Sequence, residues 1–280
     1  MTTGYFIEDQ DSAAETARLV QLHTCLSRHL GNVVTDVLAP GKALQMLDIG
    51  CGSGDWALDL AQRAPTCQII GIDISEARID LARKQALMRD LFNIRFLLMD
   101  ATAPLGFPDA TFDVIHVRFG QSYLSAAAWP PFLAECRRVL RPGGHLVLIE
   151  CENPISTARA FERLCAAYAE ASRRTGFGYT PCGSQLGITA MLAAWLRQGG
   201  YEDIEDVVQA LDFSFGAPAH EELRRYFQML LPLAQPFLIQ SGAVSQTEVA
   251  ALSRLALSQM QEPGFCAIWY FRSVWGSRPA

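Results

Sequence analysis

Three glycines and two acids packed into one short stretch form the part of this sequence with the most chemical meaning. Gly50, Gly52 and Gly54 follow an apolar run, and Asp48 and Asp55 bracket them. An apolar strand that turns through glycines into a helix presents bare backbone to a ligand and aims free helix N–H groups at it. The stretch therefore predicts a ligand-binding turn between a strand and a helix.

The flanking acids bear on which ligand this turn binds. A dinucleotide-binding turn follows the pattern G-x-G-x-x-G, but here the third glycine comes one residue early and Asp55 stands in the last glycine's place. A pyrophosphate beside two carboxylates would be repelled, whereas a sulfonium or ammonium centre would be attracted. S-adenosylmethionine has a sulfonium, a ribose, an adenine and an amino-acid end, and no phosphate. The turn therefore favours S-adenosylmethionine, and a dehydrogenase is the less favoured interpretation.

Two further acids follow at the ends of later predicted strands. Asp73 ends the second strand, where a carboxylate can accept both ribose hydroxyls. Asp100, with Ala101, ends the third strand, where a carboxylate and a backbone N–H can meet adenine. Each acid has a structural alternative: Asp73 as a carboxylate that complements a helix dipole, and Asp100 as the cap of its own loop.

The elements that must position these residues alternate between strand and helix from residue 43 to residue 150. This alternation predicts a parallel sheet with helices on both faces and a binding crevice at the carboxyl ends of the strands. The predicted strands are 43–49, 67–73, 94–99, 112–117 and 145–150, and the predicted helices between them are 54–63, 75–90 and 128–139.

The rhythm differs outside this core. A helix is predicted over 12–31, and the chain after residue 150 reads as mostly helical with two more strands. Pro232 and Pro236 predict interruptions within the helical stretch 217–262. The further predicted elements are a helix over 155–174, a loop over 176–183, a helix ending at 199–200, a strand within 202–213 and a buried final strand over 265–271.

The motifs of this core, taken in order, resemble those of class I S-adenosylmethionine-dependent methyltransferases, in particular the small-molecule enzymes of quinone and secondary-metabolite pathways. The matching positions are 48–54, Asp73 within 71–75, Asp100, 112–115 and 138–144. The resemblance covers roughly 43–151. It implies an α/β fold with a Rossmann-like, doubly wound, seven-stranded sheet that is mostly parallel. The last strand is expected antiparallel beside the fifth, with helical lid or cap additions.

These motifs, together with the residues at the ends of the predicted strands, give a set of predicted cofactor-binding residues. The predicted cofactor-binding set is Asp48, Gly50, Cys51, Gly52, Asp73, Ile74, Asp100, Ala101, His116 and Arg118. His116 is the candidate general base because imidazole titrates near neutrality, and the alternative is a packed histidine at a strand end. Arg118 is a candidate for the methionine carboxylate or an anionic acceptor, with a structural ion pair as the alternative. The family has no universal base that would decide between these roles.

The acceptor pocket is expected outside the core, in segments rich in aromatic and aliphatic residues that suit a hydrophobic small molecule. The predicted organisation is a single domain over 1–280. Its parts are an N-terminal cap (1–40), a cofactor-binding core (43–151), lid insertions (152–186 and 215–262) and a final strand (264–275). Candidate substrate-binding residues are Tyr123, Glu150, Phe177, Tyr179 and Tyr226. Tyr5 and Phe6 are candidates for an N-terminal flap over the cofactor, and a disordered tail is the alternative.

Bulk composition excludes several classes of protein. The 280 residues carry a net charge of −6 and no concentrated basic face, which argues against nucleic-acid binding. No apolar run reaches the length of a membrane span, and no leader pattern opens the chain, so a cytoplasmic location is expected. The eight cysteines lack the spacing of a metal site or a disulfide framework, so no metal is predicted. A monomer and a homodimer both remain open.

These observations predict methyl transfer from S-adenosylmethionine to an apolar acceptor at O, C or N, with S-adenosylhomocysteine as the second product. One alternative is a cyclase or isomerase that binds the cofactor without transferring its methyl group. Another is a non-catalytic regulator whose added helices bind a partner protein.

Overall fold

A computed structural model describes residues 6–7, 9–31 and 43–280. Tyr5 and parts of the predicted N-terminal cap therefore lie outside the described residues. None of the helices in the described ranges has the length and apolar character of a membrane span.

One twisted sheet organises the molecule, with its strands in the order β3–β2–β1–β4–β5–β8 and β7 on the far side of β8. Strands β1 to β5 are parallel to one another, and β8 runs antiparallel to β5. The mostly parallel sheet and its antiparallel last strand beside β5 are thus confirmed. The strands are β1 (Gln45–Ile49), β2 (Gln68–Asp73), β3 (Ile94–Leu98), β4 (Phe112–Arg118), β5 (Leu140–Cys151), β6 (Ile155–Ser156), β7 (Glu202–Asp212) and β8 (Ala267–Ser277).

The expectation of seven strands needs one correction, because the sheet has eight within the residues that the structure describes. The additional strand is β6, whose two residues pair with Ile268 and Ala267 at the start of β8. Strand β8 extends beyond the end of β5, and β6 satisfies the backbone groups that β5 leaves uncovered there.

Eight helices accompany the sheet in the described residues. They are α1 (Ala13–His29), α2 (Asp55–Arg63), α3 (Glu76–Met88), α4 (Trp129–Val139), α5 (Arg159–Arg174), α6 (Ile188–Gln198), α7 (His220–Gln240) and α8 (Gln246–Gln259). Helix α1 begins at Ser12, whose hydroxyl accepts a hydrogen bond from the Glu15 N–H, as expected of an N-cap.

The central strands are buried on both faces because a parallel sheet is covered by helices on each side. Met46 and Val114 pack with α2 and α3 on one face, while Leu47 and Ile115 pack with α4 and α6 on the other. This alternation follows from the two-residue period of a strand. It leaves the carboxyl ends of β1 to β5 as the edge where a site can form.

Helices α1, α5, α7 and α8 form a third hydrophobic core together with β8. Phe161, Phe227 and Trp269 are central to it, each no more than 5% exposed. We call these four helices and the part of β8 that packs with them the helical cap.

Two predicted helix boundaries differ from the structure. Helix α5 begins at Arg159 because β6 occupies the preceding residues. Helix α7 continues through Pro232 and Pro236, where interruptions were predicted. Leu231, Ala234 and Leu238 bury the apolar face of this helix, and that packing outweighs the lost backbone hydrogen bonds.

Candidate cofactor and acceptor site

The glycine turn joins β1 to α2, and all three glycines have left-handed backbone angles, with φ of +70°, +56° and +82°. A Cβ on Gly50 would lie 2.9 Å from the Tyr123 ring, and one on Gly54 would lie 2.6 Å from Phe96. At Gly52 a Cβ would meet nothing within 4 Å. The middle glycine therefore exposes bare backbone to open space, as a cradle for a ligand requires.

The acids at the ends of β2 and β3 already make local hydrogen bonds. Asp73 accepts from the Gly52 N–H and the Ser75 N–H, both at 2.9 Å, so it ties the glycine turn to the start of α3. Asp100 caps its own turn, because its Oδ1 accepts from the backbone N–H and the hydroxyl of Thr102 at 2.8 and 2.7 Å. Both structural alternatives are thus realised here, and each carboxylate retains lone pairs for a ligand.

Asp48 and His116 lie side by side on β1 and β4, with the His116 Nδ1 2.8 Å from an Asp48 carboxylate oxygen. The imidazole stacks on Trp56 with ring centres 3.6 Å apart. Burial lowers the pKa of His116, so the neutral ring donates its Nδ1–H to Asp48. Nε2 has no hydrogen-bond partner among the described residues and is shielded from solvent.

Arg118 extends from the end of β4 towards α1. Both of its terminal nitrogens lie 3.5 Å from the His23 Nδ1, and the His23 Nε2 lies 3.0 Å from an Asp59 carboxylate oxygen. Burial, followed by the charge of Arg118, lowers the pKa of His23, which suits a neutral imidazole that accepts from the guanidinium. In the described residues no carboxylate lies within ion-pair distance of Arg118, so this cation lacks a direct anionic partner.

A single cavity of about 790 Å³ joins these residues to the helical cap. All ten predicted cofactor-binding residues line it. Its other part is an aromatic chamber, whose walls include Phe6, Phe161, Tyr168, Phe177, Tyr226, Phe227 and Trp269. The volume lies in the range of pockets that enclose small molecules.

Of the five predicted substrate residues, Tyr123, Phe177 and Tyr226 line the cavity, whereas Glu150 and Tyr179 do not. Glu150 is fully buried and accepts from the Gln121 N–H at 3.2 Å, and burial raises its pKa well above the usual value. The Tyr179 hydroxyl accepts from the Trp129 indole N–H at 2.7 Å and donates to the Leu124 carbonyl. These two predictions are corrected, because both side chains support the loop that follows β4.

Sequence reasoning missed Arg18 and His23, which line the cavity from α1. The available signal was a polar residue on an apolar helical stripe, since Arg18 lies four residues before Leu22 on the buried face of α1.

One cluster of potential metal ligands lies outside the cavity, where atoms of Cys25, His29 and Glu222 come within 4.8 Å of one another. Burial raises the pKa of the Cys25 thiol to about 12, and Glu222 already pairs with Arg28. The cluster therefore consists of a protonated thiol and a histidine beside the Arg28–Glu222 ion pair.

Comparison with known proteins finds sequences similar to the core of this chain. Residues 46–144 match the family model described as a methyltransferase domain. The chain is 43% identical over 112 residues to the demethylmenaquinone methyltransferase of Deinococcus radiodurans, covering 40% of this chain and 45% of that protein. It is 36% identical over 126 residues to the ubiquinone/menaquinone biosynthesis C-methyltransferase UbiE of Dinoroseobacter shibae, covering 45% of this chain and 49% of that protein. The matched segments thus span about half the length of these relatives.

Solved structures with low sequence identity share the fold over more of the chain. Phosphoethanolamine N-methyltransferase 2 of Haemonchus contortus, solved with S-adenosyl-L-methionine, aligns with a TM-score of 0.58 at 17% identity, over 98% of this chain and 60% of that one. The YcgJ protein of Bacillus subtilis aligns with a TM-score of 0.57 at 16% identity, over 92% of this chain and 100% of that one. Residues 46–144 are therefore similar to methyltransferase domains, and the two solved structures share the fold over most of the chain.

Proposed function

We propose that this protein transfers a methyl group from S-adenosylmethionine to an apolar small molecule. The observation that carries the proposal is the continuity of one cavity, which is lined by the glycine turn and strand-end acids at one part and by aromatic side chains at the other. A methyl donor and an apolar acceptor that share this cavity would meet away from water.

The adenosine part of the cofactor suits the ends of β2 and β3. Asp73 would accept the ribose hydroxyls, and Asp100 would accept the adenine amino group with its unengaged oxygen. Ile74, which is 48% exposed, and Met99 supply apolar surface for the adenine ring. These side chains line the cavity together, which supports the assignment.

The methionine part suits the ends of β1 and β4. Arg118 would bind its carboxylate, since this guanidinium has no direct anionic partner in the described residues. The carboxylates of Asp48 and Asp55 line the same region and would attract the ammonium group. Gly52, where no Cβ intrudes, would allow the ligand to approach the backbone.

Methyl transfer depends more on the alignment of the two substrates and the exclusion of water than on a general acid or base. S-adenosylmethionine supplies a methyl group on a sulfonium leaving group, so the protein mainly has to align the acceptor and exclude water. His116 is better placed to hold Asp48 than to take a proton from the acceptor, because its Nε2 is shielded. We therefore propose His116 as a positioning residue in place of the general base predicted from the sequence.

We propose that the cap forms the acceptor-site lid and that the acceptor is a reduced quinone or a similar ring. Helices α5 and α7 contribute aromatic walls, and α1 lines the same cavity with residues such as Leu22, which supports a lid built from 1–40, 152–186 and 215–262. Two relatives that share about 40% of the chain are named as methyltransferases of quinone biosynthesis. Such a ring is largely apolar, which suits the aromatic chamber.

Binding of S-adenosylhomocysteine, measured by calorimetry, tests the cofactor half of the proposal. We expect Asp73→Asn to weaken binding about 10- to 100-fold, because charged hydrogen bonds to the ribose are lost. Asp80→Asn is the matched control, since Asp80 lies on the exposed face of α3 and pairs only with Arg83 among the contacts described. Absence of binding by the unaltered protein would contradict the proposal.

Mass spectrometry of a reduced naphthoquinone incubated with the protein and S-adenosylmethionine tests the transfer. A product heavier by one methylene unit supports it. A rearranged product of unchanged mass, formed only with cofactor present, would favour the cyclase alternative.

A further inference from the structure

The hydroxyl of Tyr226 is a polar group set among the aromatic walls of the acceptor chamber. Tyr226 lies on α7, is 4% exposed and lines the cavity. The rings of Phe227 and Trp269 lie 5.1 and 5.6 Å from its ring. A hydroxyl buried in such surroundings costs free energy unless its hydrogen-bonding capacity is used.

Arg18 uses half of that capacity. Its NH1 donates to the Tyr226 hydroxyl oxygen at 2.8 Å, and the guanidinium lies 5.4 Å from the centre of the tyrosine ring. Arg18 is itself fixed by two hydrogen bonds of 2.6 Å to the buried carboxylate of Glu15. The Tyr226 hydroxyl is thus held by a guanidinium that is itself anchored to a buried carboxylate.

The other half of the capacity is the hydroxyl proton. Among the described residues the contacts of Tyr226 include no acceptor for this proton. Burial raises the pKa of Tyr226 to about 12, so the proton stays in place throughout the neutral range. The positive charge behind the oxygen polarises the O–H bond and makes it a stronger donor.

We propose that Tyr226 is a specificity-determining donor that binds an oxygen atom of the acceptor, a carbonyl or phenolate oxygen on an aromatic or quinonoid ring. The assignment rests on the proposed function and narrows its substrate class, because a pure hydrocarbon or an alkylammonium ion, which has no lone pair to offer, would leave the donor unpaired. A site with a buried donor discriminates against ligands that lack the matching acceptor.

A pair of probes that differ only in their oxygens tests this assignment. Equilibrium dialysis in the presence of S-adenosylhomocysteine gives the affinities of 2-methyl-1,4-naphthoquinone and of 2-methylnaphthalene. We expect the unaltered protein to prefer the quinone, and Tyr226→Phe to reduce that preference about fivefold to tenfold. The ratio of ratios cancels the difference in hydrophobicity between the probes.

Tyr179→Phe is the matched control, because its hydroxyl is bonded to the Leu124 carbonyl and the Trp129 indole outside the cavity. This variant should keep the quinone preference. Circular dichroism of both variants checks that they are folded.

Two outcomes would overturn the proposal. One is an equal quinone preference in the unaltered protein and in Tyr226→Phe. The other is a loss of S-adenosylhomocysteine affinity in Tyr226→Phe, which would show that the hydroxyl serves the cofactor. Dialysis repeated without S-adenosylhomocysteine keeps the test independent, so failure of cofactor binding contradicts the proposed function alone.

Discussion

At the scale of single residues, the three glycines of the turn share a left-handed backbone conformation, but they are needed for two different physical reasons. Gly50 lies against the ring of Tyr123 and Gly54 against the ring of Phe96, whereas Gly52 borders open space. All three have positive φ, which side chains adopt only with strain. The outer glycines thus let other side chains pack against the turn, and the middle one leaves room for a ligand.

Alanine substitutions separate these two causes. Gly50→Ala should lower the free energy of unfolding by more than Gly52→Ala, because its Cβ would lie 2.9 Å from Tyr123. We expect a loss of about 1–2 kcal/mol for Gly52→Ala from backbone strain alone. Both variants should bind S-adenosylhomocysteine weakly. Urea unfolding measures the stabilities, and equal losses would contradict the packing argument.

The buried His116 predicts a pH dependence of stability. Its pKa is lowered by burial in the folded state, while an unfolded histidine titrates near about 6.5. Below that pH the unfolded chain binds more protons, so the free energy of unfolding falls as the pH falls. His23, whose pKa is also lowered, adds to the same trend.

Replacing the histidine tests this linkage. We expect His116→Asn to reduce the loss of stability between about pH 6.5 and pH 5, without abolishing it, because His23 remains. Urea unfolding at several pH values gives the slopes. An unchanged slope would show that His116 does not take up a proton on unfolding.

At the scale of elements, α7 shows tertiary packing overriding a local signal. Two prolines lie inside this helix, yet it runs unbroken from His220 to Gln240. Its buried residues contact the cap core, and Tyr226 and Leu231 also line the cavity. The helix therefore persists because its apolar face has somewhere to be buried.

Pro232 is the exposed member of the pair. Pro232→Ala restores a backbone donor inside α7, and we expect the free energy of unfolding to rise by about 1–3 kcal/mol. The unfolded chain also becomes more flexible, which offsets part of this gain. Thermal unfolding is the measurement, and a lower melting temperature would mean that the proline bends α7 into a shape the cap requires.

At the scale of the whole molecule, β8 connects the parts that the chain order separates. It comes last in the sequence, yet it lies between β5 and β7 and pairs with β6 as well. Its residues enter both the sheet core and the cap core, through Val274 and Trp269 respectively. The cavity between core and cap therefore depends on the last strand.

Introducing a charged residue at a buried position of β8 tests this dependence. Val274→Asp places a carboxylate at a fully buried position, and we expect a loss of more than about 4 kcal/mol or failure to fold. Tyr270→Asp on the same strand is the control, because Tyr270 is 37% exposed. Comparable losses in the two variants would contradict the central role of Val274.

The sequence by itself determined the glycine turn, the strand-end acids and the alternating core, since these depend on residues that are close neighbours in the chain. All ten predicted cofactor-binding residues line one cavity, because a parallel sheet brings the carboxyl ends of its strands to the same edge. The position of Glu150 and Tyr179 outside the cavity depends on the packing of distant elements.

Only the tertiary structure decided which residues form the walls of the aromatic chamber. Arg18 and Tyr226 stand 208 positions apart, and Asp48 and His116 stand 68 apart, yet each pair is joined by a hydrogen bond of 2.8 Å. Local backbone preferences carry no information about such pairs, because they form when sheet order and helix packing bring separate faces together. The glycine turn is thus determined by residues that are neighbours in the sequence, whereas the aromatic chamber forms only when separate helices and strands pack together.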